Sequence, residues 1–325
     1  MNYPKLSLAQ QQKLPELIQV NALPMMFDDS THQLWRCETA QGPLILKVCN
    51  RNNVVQSTFW QGMKSLFDVD IPNQLAQFEQ VFQIVTSLSS LAIPDYIASD
   101  SQSHKQIPSI LRSSKDEDIN HGSPFDRLRV NGRSPAFIAV QELSGVMVEA
   151  DAVNDKMVVS LADHLAKLHQ ATQSTWGRIG HTNFDVQQWL LRLKGTLKLL
   201  ADRQEVAIPD ELLNEAIEQA ENCTTEEFVL IMPDLRWDQF LQQDGKLIAL
   251  VDLDAFVFGP RELELVLLEY LLTEQQAKVF ATHYQQIHSL PDLSQVRKPY
   301  RLLLFLMNVL GETDLDVWMQ SPTRW

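Results

Sequence analysis

The sequence predicts an α+β protein with two lobes, a small β-rich lobe with one helix followed by a larger, mostly helical lobe. The chain has 325 residues, more than one compact core usually contains. Strand and turn patterns dominate its first part, whereas helical spacing of apolar residues dominates beyond about residue 150. We therefore expect residues 1–140 to form the first lobe and residues 141–325 to form the second.

The small lobe begins with strands joined by turns in the segment LPMMFDDSTHQLWRCETAQGPLILKVC. Its run LILKV is short, apolar and preceded by a Gly-Pro turn, which is typical of a buried strand. Residues 73–91 then place apolar side chains three and four positions apart, so they predict an amphipathic helix. The segment AFIAVQEL predicts the strand that leads into the second lobe.

Residues 101–135 interrupt this pattern with a polar stretch that has no sustained period. A segment of this composition buries little apolar surface and is typical of an inserted surface loop. A functional lid is the alternative interpretation. We expect the small lobe to tolerate the insert because loop length adds little to the entropy cost of folding.

Composition limits the possible functions of the chain. The formal net charge is −14, and such a field repels polyanions, so binding to nucleic acid is not expected. No apolar run approaches the roughly 18 residues that a membrane helix needs, and the first residues are too polar for a signal peptide. The three cysteines form no C-x-x-C pair, which argues against a zinc site or a disulfide framework. We expect a soluble, cytoplasmic protein.

The segment MPDLRWDQFLQQDGKLIALVDLDAF predicts a β-hairpin in the helical lobe. Asp244-Gly245 is a strong two-residue turn signal. If Gln243 pairs with Lys246 and this register continues, Gln239 lies opposite Leu250, and its side chain lies diagonally beside Asp252.

Asp234 precedes the same open end of the hairpin. Carboxylate and amide oxygens are ligands that Mg²⁺ prefers, so Asp234, Gln239 and Asp252 predict a magnesium site. Solvated loop carboxylates are the alternative interpretation. The apolar run before Asp252 favours a buried position, where an unpaired carboxylate is costly.

The stretches M-P-D-L-R-W-D-Q and V-D-L-D resemble the H-G-D-x-x-x-x-N loop and the I-D-W/F motif of the aminoglycoside phosphotransferase and choline kinase-like superfamily. The resemblance implies a bilobal, protein-kinase-like fold and transfer of a phosphoryl group from ATP to a hydroxyl of a small molecule. It implies that Asp234 is the catalytic residue that orients the acceptor hydroxyl. It also implies that Gln239 and Asp252 bind Mg²⁺.

The resemblance also implies a nucleotide site in the small lobe. Lys47 matches the strand lysine that holds the α- and β-phosphates, and Glu79 matches the helix glutamate that pairs with it. An edge-strand lysine and an exposed helix carboxylate are the respective alternatives. Adenine would meet the linker between the lobes at Gln141 and Leu143.

Three departures from the superfamily pattern are present. The expected phosphate loop, residues 27–33, contains no glycine, and the hydroxyls of Ser30 and Thr31 are the candidate replacements. Met232 and Pro233 replace the histidine and glycine of the catalytic loop, and Gln239 replaces its asparagine. A catalytically impaired pseudokinase that binds nucleotide or a protein partner is therefore the alternative to an active kinase.

Overall fold

The computed structural model describes residues 1–24, 30–101, 134–204, 207–223, 225 and 227–325. The predicted 101–135 insert lies almost entirely outside the described residues, as do residues 27–29 of the predicted phosphate loop. In the described part of the chain, no helix combines the length and the apolar character needed to cross a membrane.

The amino-terminal lobe is built on a five-stranded antiparallel sheet in the order β1-β2-β3-β5-β4. A short helix, α1, precedes it. The elements are α1 (Leu8–Gln11), β1 (Leu17–Ala22), β2 (His32–Thr39), β3 (Gly42–Cys49), β4 (Tyr96–Asp100) and β5 (Phe137–Gln141). Strands β4 and β5 flank the insert, and their facing ends pair at Asp100 and Phe137.

The two faces of this sheet bury different side chains, because residues alternate between faces along a strand. One face carries Cys37, Leu46 and Phe137, which pack with the amino-terminal segment in a small separate core. The opposite face carries Lys47 and, directly across the ladder, Ile138, which belongs to the main core. Lys47 is therefore directed toward the rest of the molecule.

Between β3 and β4 the chain forms more than the one helix that the sequence predicted. The helices are α2 (Arg51–Gln56), α3 (Thr58–Phe67), α4 (Ile71–Gln74) and α5 (Glu79–Leu88), with a 3₁₀ turn at Leu75–Gln77. The predicted 73–91 helix is thus divided, and its regular part begins at Glu79. Helix α3 joins the main core through Phe67, whose ring contacts Trp176 and Trp189 of the second lobe.

The second lobe is mostly helical, as predicted. Its helices are α6 (Asp155–Leu168), α7 (Val186–Ala201), α8 (Asp210–Gln219), α9 (Arg261–Leu271), α10 (Glu274–Tyr284), α11 (Arg297–Leu306) and α12 (Leu315–Met319). Short strands lie between them: β6 (Val146–Met147), β7 (Thr172–Gln173), β8 (Gly177–Arg178), β9 (Phe228–Ile231), β10 (Phe240–Gln243), β11 (Lys246–Leu250) and β12 (Val257–Gly259). They form a sheet ordered β11-β10-β6 and another ordered β7-β9-β12-β8.

The predicted hairpin is β10–β11, and its two-residue turn is confirmed by the pairing of Gln243 with Lys246. The predicted register does not continue to the open end. A bulge makes Phe240, instead of Gln239, the partner of Leu250, and it leaves Ile248 as the extra residue. The carbonyl of Ile248 accepts a hydrogen bond from Ala92 N at 2.9 Å, a distant contact that the hairpin sequence does not contain.

Candidate active site

Lys47 on β3 reaches carboxylates that follow β11. Its Nζ lies 2.8 Å from Asp252 Oδ1 and 3.6 Å from Asp254 Oδ2. Burial by itself lowers the pKa of Lys47, but the two carboxylates outweigh burial and raise the pKa above its ordinary value. The lysine is therefore charged and bridges the sheet of the first lobe to the segment after the hairpin.

The predicted ion pair between Lys47 and Glu79 is absent, so this prediction was wrong. Glu79 is exposed at the start of α5, and its Oε1 accepts a hydrogen bond from Gln83 Nε2 at 3.3 Å. The contacts of the chain just before α5 account for the position of Glu79. Gln77 Oε1 accepts a bond from Arg178 at 2.8 Å, so this part of the chain is directed toward β8.

At the start of α5, a glycine of the second lobe allows the side chain of Gln80 to come close. Gly180 has φ +78°, and a Cβ built at this residue would collide with Oε1 of Gln80. Gln77 and Gln80 thus contact the second lobe, while Glu79 between them is exposed. Two aspartates take the place of the predicted glutamate.

Asp234 lies in the loop between β9 and the 3₁₀ turn at Trp237–Gln239. Its Oδ1 is buried and has no hydrogen-bond partner among the described residues. Burial and, second, the charge of Asp252 raise the pKa of Asp234 to about 7. A carboxylate with one unpartnered oxygen is suited to accept a hydrogen bond, and then a proton, from an incoming hydroxyl group.

The side chain of Gln239 closes the same loop. Its Oε1 accepts a hydrogen bond from Arg236 N at 2.8 Å, and its Nε2 donates to the carbonyl of Asp234 at 3.1 Å. An amide oxygen has two lone pairs, so one remains for a cation. The side chain that the sequence placed at a metal position thus also fixes the backbone of Asp234.

Asp252 and Asp254 complete an acidic group at the end of β11. Burial alone raises the pKa of Asp252, but Lys47 opposes burial and holds this pKa below its usual value. The pKa of Asp254 is raised by burial, which Lys47 only partly offsets. Sequence reasoning missed Asp254, although the spacing D-x-D after a buried strand is a signal that places both carboxylates at one strand end.

The donor chemistry of this group fits a magnesium ion. In the residues that the structure describes, no cluster of three or more His, Cys, Asp or Glu side chains is arranged to hold a metal. Mg²⁺, however, commonly takes only one or two carboxylates and completes its shell with water and substrate phosphates. Asp252, Asp254 and the amide oxygen of Gln239 offer the hard oxygen ligands that such a site needs.

A buried network supports the catalytic loop from behind. Glu264 on α9 accepts a hydrogen bond from Met232 N at 2.7 Å through Oε1. Its Oε2 lies 2.7 Å from Nε2 of His169, and Nδ1 of His169 lies 2.7 Å from the hydroxyl of Tyr284. The carboxylate and the histidine are fully buried. The loop that contains Met232-Pro233 in place of His-Gly is therefore anchored through a backbone amide.

The linker between the lobes places Leu143 where the sequence predicted contacts with adenine. Gln141 N donates to Asp95 O and Glu142 N donates to Pro43 O, while the amide of Leu143 has no partner among the described residues. Sequence reasoning missed the support of this linker. Arg36 on β2 donates from Nε to both carboxylate oxygens of Glu142, at 2.7 and 2.8 Å.

Ser30 and Thr31 directly precede β2. The carbonyl of Ser30 accepts a bond from Asn53 Nδ2 at 2.9 Å, and the carbonyl of Thr31 accepts one from Asn50 N at 2.7 Å. The hydroxyl of Thr31 lies 3.4 Å from Nδ1 of His32. These contacts fix the chain at the point where the predicted phosphate loop enters the sheet.

The antiparallel sheet, the linker, the helical lobe and the facing group of Lys47, Asp234 and Asp252 together define a kinase-like phosphotransferase fold. The model of the phosphotransferase enzyme family (APH) matches residues 28–299. The chain belongs to this family. A comparison with curated proteins finds no match.

Solved structures with the same fold have low sequence identity to this chain. A macrolide 2'-phosphotransferase from Brachybacterium faecium has 12% identity and a TM-score of 0.54, with 97% of each chain covered. The GDP complex of aminoglycoside 2'-phosphotransferase-IIIa has 15% identity and a TM-score of 0.51, covering 94% of this chain and 89% of that one. A mutant aminoglycoside phosphotransferase in complex with ADP and hygromycin B has 14% identity and a TM-score of 0.54, with 91% of this chain and 88% of that chain covered.

Proposed function

We propose that this protein transfers the γ-phosphoryl group of ATP to a hydroxyl group of a small molecule. The observation that carries the proposal is the buried carboxylate of Asp234: its Oδ1 has no hydrogen-bond partner among the described residues, and its pKa is raised by burial and by the charge of Asp252, the partner of Lys47. Relatives crystallised with ADP or GDP and with hygromycin B support a nucleotide and a small-molecule acceptor. The same relatives, all phosphotransferases by name, do not support the pseudokinase alternative.

The residues divide the work of phosphoryl transfer. Lys47 would bind phosphate oxygens of the nucleotide, and Asp252, Asp254 and Gln239 would hold Mg²⁺, which neutralises phosphate charge when it is bound. Asp234 would orient the acceptor hydroxyl and take its proton while the oxygen–phosphorus bond forms. The bond between the γ-phosphorus and the bridging oxygen breaks at the same time, and ADP leaves.

The linker would hold the base. The amide of Leu143, which has no partner among the described residues, is a donor suited to a ring nitrogen of adenine, and Gln141 offers a neighbouring backbone group. The pair of Arg36 with Glu142 fixes this segment against β2. The chemical class of the acceptor stays open between sugars, amino alcohols and aminoglycosides.

The experiment measures nucleotide binding and turnover separately. Wild-type protein should bind ATP in the presence of Mg²⁺, as measured by calorimetry, and should release ADP when a library of hydroxyl compounds is supplied. Asp252→Ala should weaken the magnesium-dependent part of this affinity, because it removes a metal ligand and the partner of Lys47. Binding without ADP release for any acceptor would contradict the proposal and restore the pseudokinase alternative.

A further inference from the structure

Arg36 is a charged side chain on the sheet face that carries Lys47. It pairs directly with Ile45 on β3, and Ile45 pairs in turn with Val140 on β5. Leu34, two residues earlier on β2, pairs with Lys47 in the next row of the ladder. Side chains two residues apart on a strand share a face and lie about 7 Å apart. The row of Arg36 is the one nearer to the linker, because the linker follows Val140.

The guanidinium of Arg36 connects β2 to the linker. Its Nε donates to both carboxylate oxygens of Glu142, at 2.7 and 2.8 Å, and its Nη1 donates to Glu38 Oε1. Glu38 is on the same strand as Arg36, whereas Glu142 belongs to the linker. The three side chains are half-buried, and several charges in one network hold a local geometry better than an isolated surface pair does. Only one of the two acidic partners therefore acts on the linker.

The linker beyond Glu142 has few other restraints. Glu142 N donates to Pro43 O at 3.1 Å. The chain next pairs at Val146 and Met147, with β10. Between these points the amide of Leu143 has no hydrogen-bond partner among the described residues. Backbone that lacks such bonds opens more easily, so the contacts of Glu142 are the nearest restraints on the Leu143 amide.

We propose that Arg36 is a positioning residue for the base of the nucleotide. It holds Glu142, and through Glu142 it keeps the Leu143 amide where a ring nitrogen of the base can accept its hydrogen bond. This inference rests on the proposed function, because it assumes that the cleft binds a nucleotide. Binding of the phosphates should depend little on this pair, because Lys47 and the aspartates after β11 are held by their own contacts.

Two glutamate variants separate this role from a general effect of charge. Glu142→Ala and Glu38→Ala each remove one negative charge that pairs with Arg36, but only the first releases the linker. Glu142→Ala should weaken binding of ADP with Mg²⁺ by about three- to fivefold, the upper range for an ion pair of a surface network. Glu38→Ala should change this affinity by less than about 1.5-fold, because Arg36 keeps its contact with the linker. Calorimetry measures both.

Pyrophosphate provides the ligand control because it carries phosphate charges without a base. Arg36→Met keeps the apolar stem of the side chain and removes its charge. This variant should weaken ADP binding by about three- to fivefold and pyrophosphate binding by less than about twofold, since only ADP uses the linker. Combining it with Glu142→Ala should weaken ADP binding no further, because both substitutions remove the same contact. Equal weakening of the two ligands, or full additivity of the two substitutions, would overturn the proposal.

The remaining outcomes distinguish this proposal from the proposed function. If the wild type does not bind ADP, the proposed function fails. If the wild type binds ADP and Glu142→Ala and Glu38→Ala have equal affinities for it, only the role of Arg36 is overturned. Thermal unfolding without ligand checks that each variant is folded. If Glu142→Ala does not fold, Glu142→Gln and Glu38→Gln replace the alanine pair, because glutamine keeps the shape and removes the charge, and equal ADP affinities would again overturn the proposal.

Discussion

Replacing Asp234 by asparagine should remove activity and increase stability together. The substitution keeps the shape of the side chain but removes the group that accepts the proton of the acceptor hydroxyl. Loss of a general base reduces turnover by about a hundredfold or more. The same carboxylate is buried, and one of its oxygens has no partner in the described part of the chain, so its ionised form is unfavourable in the folded protein.

The size of the stability effect follows from the raised pKa. The pKa of Asp234 rises from 3.8 to about 7 on folding, so the folded state binds this proton more tightly than the unfolded state. Ionised Asp234 therefore lowers the free energy of unfolding. This penalty is absent below about pH 4, grows between about pH 4 and pH 7, and is complete above this window. At about 1.4 kcal/mol per pKa unit, the penalty reaches about 4 kcal/mol at pH 8.

The buried amide of asparagine itself costs about 1–3 kcal/mol when it lacks partners. The net stabilisation at pH 8 is therefore about 1–3 kcal/mol, because the amide cost is subtracted from the carboxylate penalty. The amide does not titrate. The advantage of Asp234→Asn over the wild type should consequently increase by about 2.5 kcal/mol between pH 5 and pH 8.

Urea unfolding at pH 5 and pH 8, with EDTA and without nucleotide, measures this difference in the free energy of unfolding. Asp244→Asn is the control, because Asp244 is exposed in the hairpin turn, where its φ of +53° also suits asparagine. The control should change stability by less than about 0.5 kcal/mol at either pH. A difference between Asp234→Asn and the wild type that does not depend on pH would refute the reasoning.

Two further predictions concern the support of the site and the insert. Glu264→Ala should destabilise the protein by about 3–5 kcal/mol, because it leaves His169 and the Met232 amide without their buried partner. The same substitution should lower kcat more than it raises KM for ATP. Unchanged unfolding in urea would contradict the predicted loss of stability. Replacing residues 103–133 with a short Gly-Ser linker should preserve the urea midpoint and ADP affinity, since Asp100 and Phe137 already pair. Loss of solubility after this replacement would contradict the prediction about the insert.

The sequence was a good guide where burial follows local periodicity. The short apolar run LILKV predicted a buried strand that contains Lys47, and Asp244-Gly245 located the hairpin turn, because both signals depend on residues close together in the chain. The helical spacing beyond about residue 150 predicted the mostly helical second lobe. The register at the open end of the hairpin was wrong, since the bulge at Ile248 accompanies a hydrogen bond to Ala92.

The candidate site, too, was predicted in part from the sequence and in part was not. Spacing and family resemblance brought Asp234, Gln239 and Asp252 into one group, and the structure places them around one loop and one strand end. The partners of Lys47 could not be found from spacing or from family resemblance. An exposed and a buried carboxylate look alike in a sequence, and only the folded chain leaves Glu79 exposed and brings Lys47 to Asp252 and Asp254.

By itself, the sequence determined the division into a β-rich and a mostly helical lobe, the hairpin turn and the spacing of the catalytic loop. Only the tertiary structure decided that Glu264 holds the Met232 amide and that Arg36 fixes the linker through Glu142. The physical reason is that periodicity reports which face of an element is buried. Which partner a buried polar group finds depends on contacts between segments far apart in the chain, such as the 95 residues between His169 and Glu264.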